Sequence, residues 1–139
     1  MKSSFELKAN GSLEDLSRIG DFVLESTMGS GLDQRERFHL MTAVDEACTN
    51  IIKYGGSTEI EINCRVEDEL VEVQITDDGV AFNPLDAPTP DLSVPLEERE
   101  VGGLGIHFIR TLMTEVKYER REGKNILSMT LWHRQNNIL

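Results

Sequence analysis

The chain has 139 residues and 39% hydrophobic content, which suits one domain, 1–139, with a single core. Its formal net charge of −11 opposes binding to nucleic acid or to an anionic membrane, so a protein partner or a small ligand is favoured. No apolar run is long enough to span a bilayer and no signal-peptide core follows Met1, so we expect a cytoplasmic protein. Cys48 and Cys64 lack metal-ligand spacing and are expected to be reduced and buried.

Hydrophobic periodicity alternates along the chain between strand and helix periods. The predicted elements, in chain order, are a strand at Phe5 and Leu7, helices over 13–26 and 33–54, strands over 58–66 and 70–77, a helix over 102–114, and strands over 116–120 and 126–132. We expect Asn10-Gly11-Ser12 to cap the first helix, with Leu13 buried on it and Phe38 buried on the second. The stretch 82–101 contains all four prolines and is predicted to be a long mobile loop.

The second predicted helix carries a carboxylate and an amide one turn apart. Glu46 and Asn50 point away from the bulky apolar stripe, and Lys53 lies on the same flank. One interpretation is a solvated polar face, which is common on helix surfaces. The other is that the Asn50 oxygen helps to hold Mg²⁺ while Glu46 accepts a proton from an attacking hydroxyl group or water.

The strand over 70–77 ends in an acid whose direction the alternation predicts. Asp77 continues the apolar face of Val71, Val73 and Ile75, whereas Asp78 faces the opposite side. A carboxylate directed into a core needs a hydrogen-bond donor. Adenine's exocyclic amino group would supply one, and guanine's carbonyl would not; alternatively, Asp77 accepts only backbone N–H groups in the turn at Gly79.

A third segment, Gly102-Gly103-Leu104-Gly105, opens the helix predicted over 102–114. One interpretation is that these glycines only permit close packing of the helix. Free N–H groups at a helix start can also bind phosphate, and the segment follows a long loop. It is neither a Walker loop nor a Rossmann fingerprint, because no Gly-Lys-Ser/Thr follows it and no strand immediately precedes it.

Together, the three segments resemble the GHKL ATPases, which include gyrase, a heat-shock chaperone of the same fold and histidine kinases. The order Glu-x-x-x-Asn, Asp-x-Gly-x-Gly/Ala, Gly-x-Gly carries the resemblance over essentially the whole chain. The segments VDEACTNIIKYG, DDGVAFNP and GGLGIHFIRTLMTEV are most similar to the short anti-sigma-factor serine/threonine kinases. The resemblance implies a two-layer α/β sandwich, the Bergerat ATP-binding fold, in which helices cover one face of a mixed, mostly antiparallel sheet.

The resemblance also implies roles for individual residues. Asn50 would hold Mg²⁺, Glu46 would be the catalytic base, Asp77 would contact adenine and Gly79 would form the turn beneath it. The segment 102–105 would border the triphosphate of ATP, with the preceding loop as a lid. Ala81 departs from the family pattern, since many members have glycine there, and it slightly narrows the base pocket. Lys53, Arg99 and Arg110 are the cationic candidates near the phosphates.

By this resemblance, the chain would phosphorylate a serine or threonine of a STAS-type anti-anti-sigma protein. It could also sequester a sigma factor, and similar proteins are often homodimers. Two alternatives stay open: a non-catalytic ATP-gated binding module, and an excised histidine-kinase ATPase domain. Radiolabel transferred from the γ-phosphate to a STAS protein would distinguish a kinase from a binding module.

Overall fold

The computed structural model describes residues 2–56, 59–86 and 109–133. Its strands and helices, in chain order, are β1 (Ser3–Asn10), α1 (Leu16–Thr27), α2 (Gln34–Tyr54), β2 (Glu59–Glu67), β3 (Leu70–Asp77), β4 (Glu115–Arg121) and β5 (Lys124–Trp132). Short 3₁₀ turns lie at Leu13–Asp15 and Pro84–Asp86, and residues 109–112 are helical. Most of the loop predicted over 82–101, and the start of the helix predicted over 102–114, fall outside the described residues.

The strands form one five-stranded sheet in the order β1-β2-β3-β5-β4. Each of its four described pairings is antiparallel, so the mostly antiparallel prediction is confirmed and no parallel pair occurs among these strands. β4 and β5 are joined by a tight turn at Glu122 and Gly123, both with positive φ, as a two-residue hairpin requires. This order places β5, from the end of the chain, directly beside β3.

α1 and α2 cover one face of the sheet, which confirms the predicted two-layer fold. Val71, Val73 and Ile75 of β3 are buried beneath them, while the intervening side chains of the strand are partly exposed. α2 begins at a capping box in which Asp33 accepts from the Glu36 N–H and Glu36 accepts from the Asp33 N–H. Its helical hydrogen bonds end at Gly55, and Gly56 follows with a φ of 63°.

Three sequence expectations about the helices are wrong. Ser12 makes no side-chain capping hydrogen bond; instead, the Asp15 carboxylate accepts from the Asn10 N–H at 2.7 Å. Leu13 is 57% exposed and Phe38 is 68% exposed. The buried face of α2 is rotated toward smaller side chains: Leu40, Ala43, Val44, Ala47, Cys48 and Asn50. Small residues let the helix lie close to the sheet, which a face centred on Phe38 would prevent.

Both cysteines are free and buried, as predicted. Burial, together with the nearby charges of Asp45 and Asp77, raises the pKa of the Cys48 thiol to about 12. Such a thiol is protonated at neutral pH and unreactive. Within the part of the chain that the structure describes, no helix combines the length and the apolar character needed to cross a membrane.

The connection between α1 and α2 packs tightly against the turn between β2 and β3, and this gives a stability prediction. A Cβ atom at Gly31 would lie 2.3 Å from the backbone oxygen of Asp68, whereas one at Gly29 would meet nothing within 4 Å. We expect Gly31→Ala to lower the free energy of unfolding by about 1–3 kcal/mol, since backbone must move. Gly29→Ala is the matched control, with an expected change within about 0.5 kcal/mol. Urea denaturation measures both, and equal stability of the two variants would contradict this packing.

Candidate functional site

A cavity opens at the carboxyl end of α2, where the helix meets the turn after β3 and the ends of β4 and β5. The space within it, counting the open mouth, is about 610 Å³. Its walls are mainly apolar, with a few polar groups. The lining residues are Ala47, Asn50, Ile51, Tyr54, Gly55, Asp77, Val80, Ala81, Phe82, Pro84, Ile109, Tyr118, Asn125 and Leu127.

Asp77 is the acidic residue of this lining and is only 4% exposed. Its Oδ1 accepts from the Gly79 N–H at 2.9 Å and from Asn125 Nδ2 at 3.2 Å. The backbone contact that the sequence allowed as an alternative is therefore present. Asp78, by contrast, is exposed, and its side chain accepts from the Glu59 N–H at 3.2 Å.

The turn after β3 is held by hydrogen bonds from three directions. The Val80 N–H donates to the Gly55 oxygen at 2.9 Å, which ties the turn to the end of α2. Arg120 Nη1 donates to the Gly79 oxygen at 2.9 Å, and Asn125 Nδ2 donates to the Val80 oxygen at 2.7 Å. Because its backbone groups are already bonded, this wall of the cavity is preorganised.

The flank of α2 that faces the cavity carries the predicted amide. Asn50 is 6% exposed and lines the cavity beside Ala47. Glu46 lies one turn earlier on the helix, is partly buried, and is not among the lining residues. The i, i+4 spacing places Glu46 and Asn50 on one side of α2, so the carboxylate lies beside the cavity rather than within it.

The pKa of Glu46 is raised above its ordinary value. Burial is the largest cause and the negative charge of Asp45 adds to it, while the positive charge of Lys53 opposes it. A raised carboxyl pKa strengthens the carboxylate as a proton acceptor near neutral pH. A perturbed pKa beside a cavity is also a frequent property of functional groups.

The structure brings together only part of the predicted site. Asn50, Asp77 and Ala81 line the cavity, and Gly79 forms the turn beside them. Lys53 is exposed on the last turn of α2 and, like Arg110, is not among the lining residues. Arg99 and the segment 102–105 lie outside the described residues.

Two polar lining residues, Asn125 and Tyr118, were not predicted from the sequence. Asn125 is directly opposite Asp77 in the β3–β5 register, and Tyr118 is opposite Leu127 in the β4–β5 register. Asn125 follows the turn of the predicted hairpin closely, where a polar residue is expected on local grounds alone. Only the pairing of β5 with β3 gives it a place in the cavity.

A comparison with known protein families decides what kind of domain surrounds this cavity. The profile of the histidine kinase-like ATPase domain matches residues 10–131. The chain belongs to this family. The family match confirms the GHKL resemblance and implies that the chain binds ATP.

Relatives within the family are protein kinases. The serine/threonine-protein kinase BtrW of Bordetella bronchiseptica is 34% identical over 100 residues, which cover 69% of this chain and 70% of BtrW. The serine-protein kinase RsbW of Bacillus mycoides is 27% identical over 91% of this chain and 82% of its own length. These matches confirm the prediction of a protein serine/threonine kinase.

Solved structures show the same fold. The structure of the RsbU and RsbW domains of Rv1364c from Mycobacterium tuberculosis matches 94% of this chain with a TM-score of 0.67 and 13% identity, and this chain spans 32% of that one. The Acinetobacter baumannii histidine kinase AdeS matches 94% of this chain, and 68% of its own, with a TM-score of 0.53 and 15% identity. At these identities the likeness concerns the fold alone.

The geometry around Asp77 gives a prediction for nucleotide affinity. Asp77→Asn keeps the shape of the side chain but replaces an acceptor by a donor, which would oppose the amino group of adenine in the contact that the sequence predicts. We expect ATP affinity to weaken by about 1–3 kcal/mol, measured by isothermal titration calorimetry. Asp78→Asn is the matched control, because that side chain is exposed and its amide oxygen can still accept from Glu59; less than about a twofold change is expected. Wild-type affinity in Asp77→Asn would contradict the assignment.

Proposed function

We propose that this chain is a cytoplasmic kinase that uses Mg-ATP to phosphorylate a serine or threonine of a STAS-type anti-anti-sigma protein. The observation that carries the proposal is the cavity that joins Asp77 at the end of β3 to Asn50 on α2, with Glu46 one turn away. Fold and family agree with this arrangement, since the relatives that match most of the chain are serine- or serine/threonine-protein kinases. In this proposal, residues 1–139 act as one ATPase domain.

The cavity fits the base of ATP in shape and in polarity. Val80, Phe82 and Ile109 give it apolar walls suited to a flat purine, and Asp77 provides an acceptor in a buried place. An acceptor here pairs with the amino group of adenine and faces the carbonyl of guanine unfavourably. A site built to pair with a particular polar group strongly rejects ligands that lack it.

The residues present also fit a magnesium ion. Asn50 offers an amide oxygen, a hard ligand of the kind Mg²⁺ prefers, and one protein oxygen can suffice because the ion takes other ligands from phosphates and water. When bound, Mg-ATP supplies the phosphoryl group and neutralises part of the charge of the phosphates. Asn50 would hold the metal at the α2 side of the cavity, and Asp77 would hold the base at the β3 side.

Glu46 is suited to the role of general base. Its raised pKa, due chiefly to burial, makes its carboxylate a better acceptor for the proton of a serine or threonine hydroxyl. Glu46 is not among the residues that line the cavity, so in this proposal the nucleotide occupies the cavity and the protein substrate meets Glu46 beside it. Phosphoryl transfer depends mainly on positioning and charge neutralisation, so one base and one metal site can be sufficient.

The partners follow from the kinship with RsbW and BtrW and from the anti-sigma type of the resemblance. We propose a STAS-type protein as the phosphoryl acceptor, and a sigma factor as a second partner that the chain sequesters. The net charge of −11 is consistent with protein partners rather than nucleic acid.

A transfer assay tests the proposed function. Purified chain, [γ-³²P]ATP, Mg²⁺ and a STAS protein encoded near it should yield labelled STAS protein. Glu46→Gln should bind ATP normally but transfer phosphate at least about 10²-fold more slowly, because the base is lost. Glu115→Gln is the matched control: this exposed side chain pairs with Lys117, and such surface pairs contribute little. ATP binding without any labelling would favour the non-catalytic module, and full activity in Glu46→Gln would remove that residue from the mechanism.

The raised pKa of Glu46 predicts the pH dependence of transfer. The base must be deprotonated, so the rate should fall as the pH drops through the pKa of Glu46. Lys53→Met removes a charge that lowers this pKa and should move the acidic limb of the pH–rate profile to higher pH. Asp45→Asn removes a charge that raises it and should move the limb to lower pH. Shifts in the same direction for both variants would contradict the assignment of the limb to Glu46.

A further inference from the structure

Asn125 occupies an unusual place for an amide side chain. It is the second residue of β5, only 5% exposed, and its Cα is directly opposite that of Asp77 in the antiparallel register. It also lines the cavity. Burying an amide is costly unless its polar atoms are all bonded, so its hydrogen bonds show what the side chain does there.

Asn125 makes four hydrogen bonds, which use both of its N–H groups and both lone pairs of its oxygen. Its Nδ2 donates to Asp77 Oδ1 at 3.2 Å and to the Val80 oxygen at 2.7 Å. Its Oδ1 accepts from the Phe82 N–H at 3.2 Å and from the Tyr118 hydroxyl. One side chain thus connects the acid at the end of β3, two backbone positions of the following turn, and β4.

We propose that Asn125 is the positioning residue for base recognition: it fixes the Asp77 carboxylate and the turn over 79–82 in the arrangement that accepts adenine. The inference rests on the proposed ATP site and deepens it. With its four bonds made within the protein, Asn125 acts on the nucleotide through Asp77 and the turn. Asn125 preorganises the wall of the cavity. Nucleotide binding therefore does not carry the free-energy cost of ordering that wall.

The chemistry of the position favours an amide over other small polar side chains. An aspartate would place a second negative charge beside Asp77 and could not donate while ionised. A serine or threonine has a single donor and could not serve Asp77 and Val80 together. An uncharged amide can donate to two acceptors and accept from two donors. The position offers these partners: Asp77 and the Val80 oxygen as acceptors, and the Phe82 N–H and the Tyr118 hydroxyl as donors.

The main experiment compares the affinities of the full-length chain for Mg-ATP and Mg-GTP by calorimetry. Asn125→Ala should lower the ratio of ATP affinity to GTP affinity by about tenfold, since the acceptor Asp77 is no longer held in place. Ser128→Ala is the matched control. It lies on the same strand, where its hydroxyl accepts from Gln74 on β3, and it is not among the cavity-lining residues. The control should leave the ratio within about twofold.

Asn125→Asp separates positioning from a general loss of structure and serves as the second variant should Asn125→Ala not fold. Its carboxylate keeps the acceptor side toward Phe82 and Tyr118 but has no donor, and protonation restores a single O–H donor. Among the described residues, the titratable groups that face it are Asp77 from β3 and Tyr118 from β4, with Arg120 held on the Gly79 oxygen. ATP affinity relative to wild type should therefore be at least about tenfold weaker at pH 8 and recover in part as the pH falls toward 5.5.

The outcomes distinguish the inference from the function on which it rests. A wild-type chain that prefers ATP, with a folded Asn125→Ala of unchanged preference, would overturn the positioning role and leave the ATP site intact. A wild-type chain that binds neither nucleotide would overturn the proposed function, and this inference with it. For Asn125→Asp, a relative affinity independent of pH would overturn the positioning role.

Discussion

The burial of one carboxylate governs the arrangement of the site. Asp77 lies at the end of a central strand, where an ionised group costs several kcal/mol unless hydrogen-bond donors surround it. Two of those donors are the Gly79 backbone and Asn125, which the sheet order brings beside it. Without β5 against β3, Asp77 would lose the hydrogen bond from Asn125.

The hydrogen bonds made to the Asp77 carboxylate also shape the cavity. The turn that supplies the Gly79 N–H is itself bonded to the end of α2 at Gly55 and to β4 through Arg120. Helix, sheet and turn therefore meet at one rigid wall, and Asn50 approaches it on the buried flank of α2. Glu46 lies beside the cavity and is partly buried, and its raised pKa suits the role of proton acceptor that we propose for it. In the proposed function, the buried end of the cavity holds the base of ATP and the protein substrate approaches from the side of Glu46.

Local pattern predicted the parts of this site that depend on local geometry. Strand alternation gave the inward direction of Asp77, and helical spacing put Glu46 and Asn50 on one flank. Asn125 could not be found this way, because its role arises from pairing with a residue 48 positions away. Phe38 was misplaced since the apolar stripe of α2 is broad, and the sheet selects its small-residue side for close packing. Ser12 had the residue type of a cap, but Asp15 bonds the Asn10 N–H instead, which sequence preference alone does not reveal.

The central claim is that the Asp77 carboxylate accepts a hydrogen bond from the amino group of adenine within the cavity. A crystal structure of the chain with Mg²⁺ and a non-hydrolysable ATP analogue tests it most directly. The account predicts the adenine between Val80, Phe82 and Ile109, its amino nitrogen within about 3.2 Å of the Asp77 carboxylate. The phosphates should extend toward Asn50, and the four bonds of Asn125 should be unchanged. An analogue bound with its base outside this cavity, or with no donor directed at Asp77, would contradict the account.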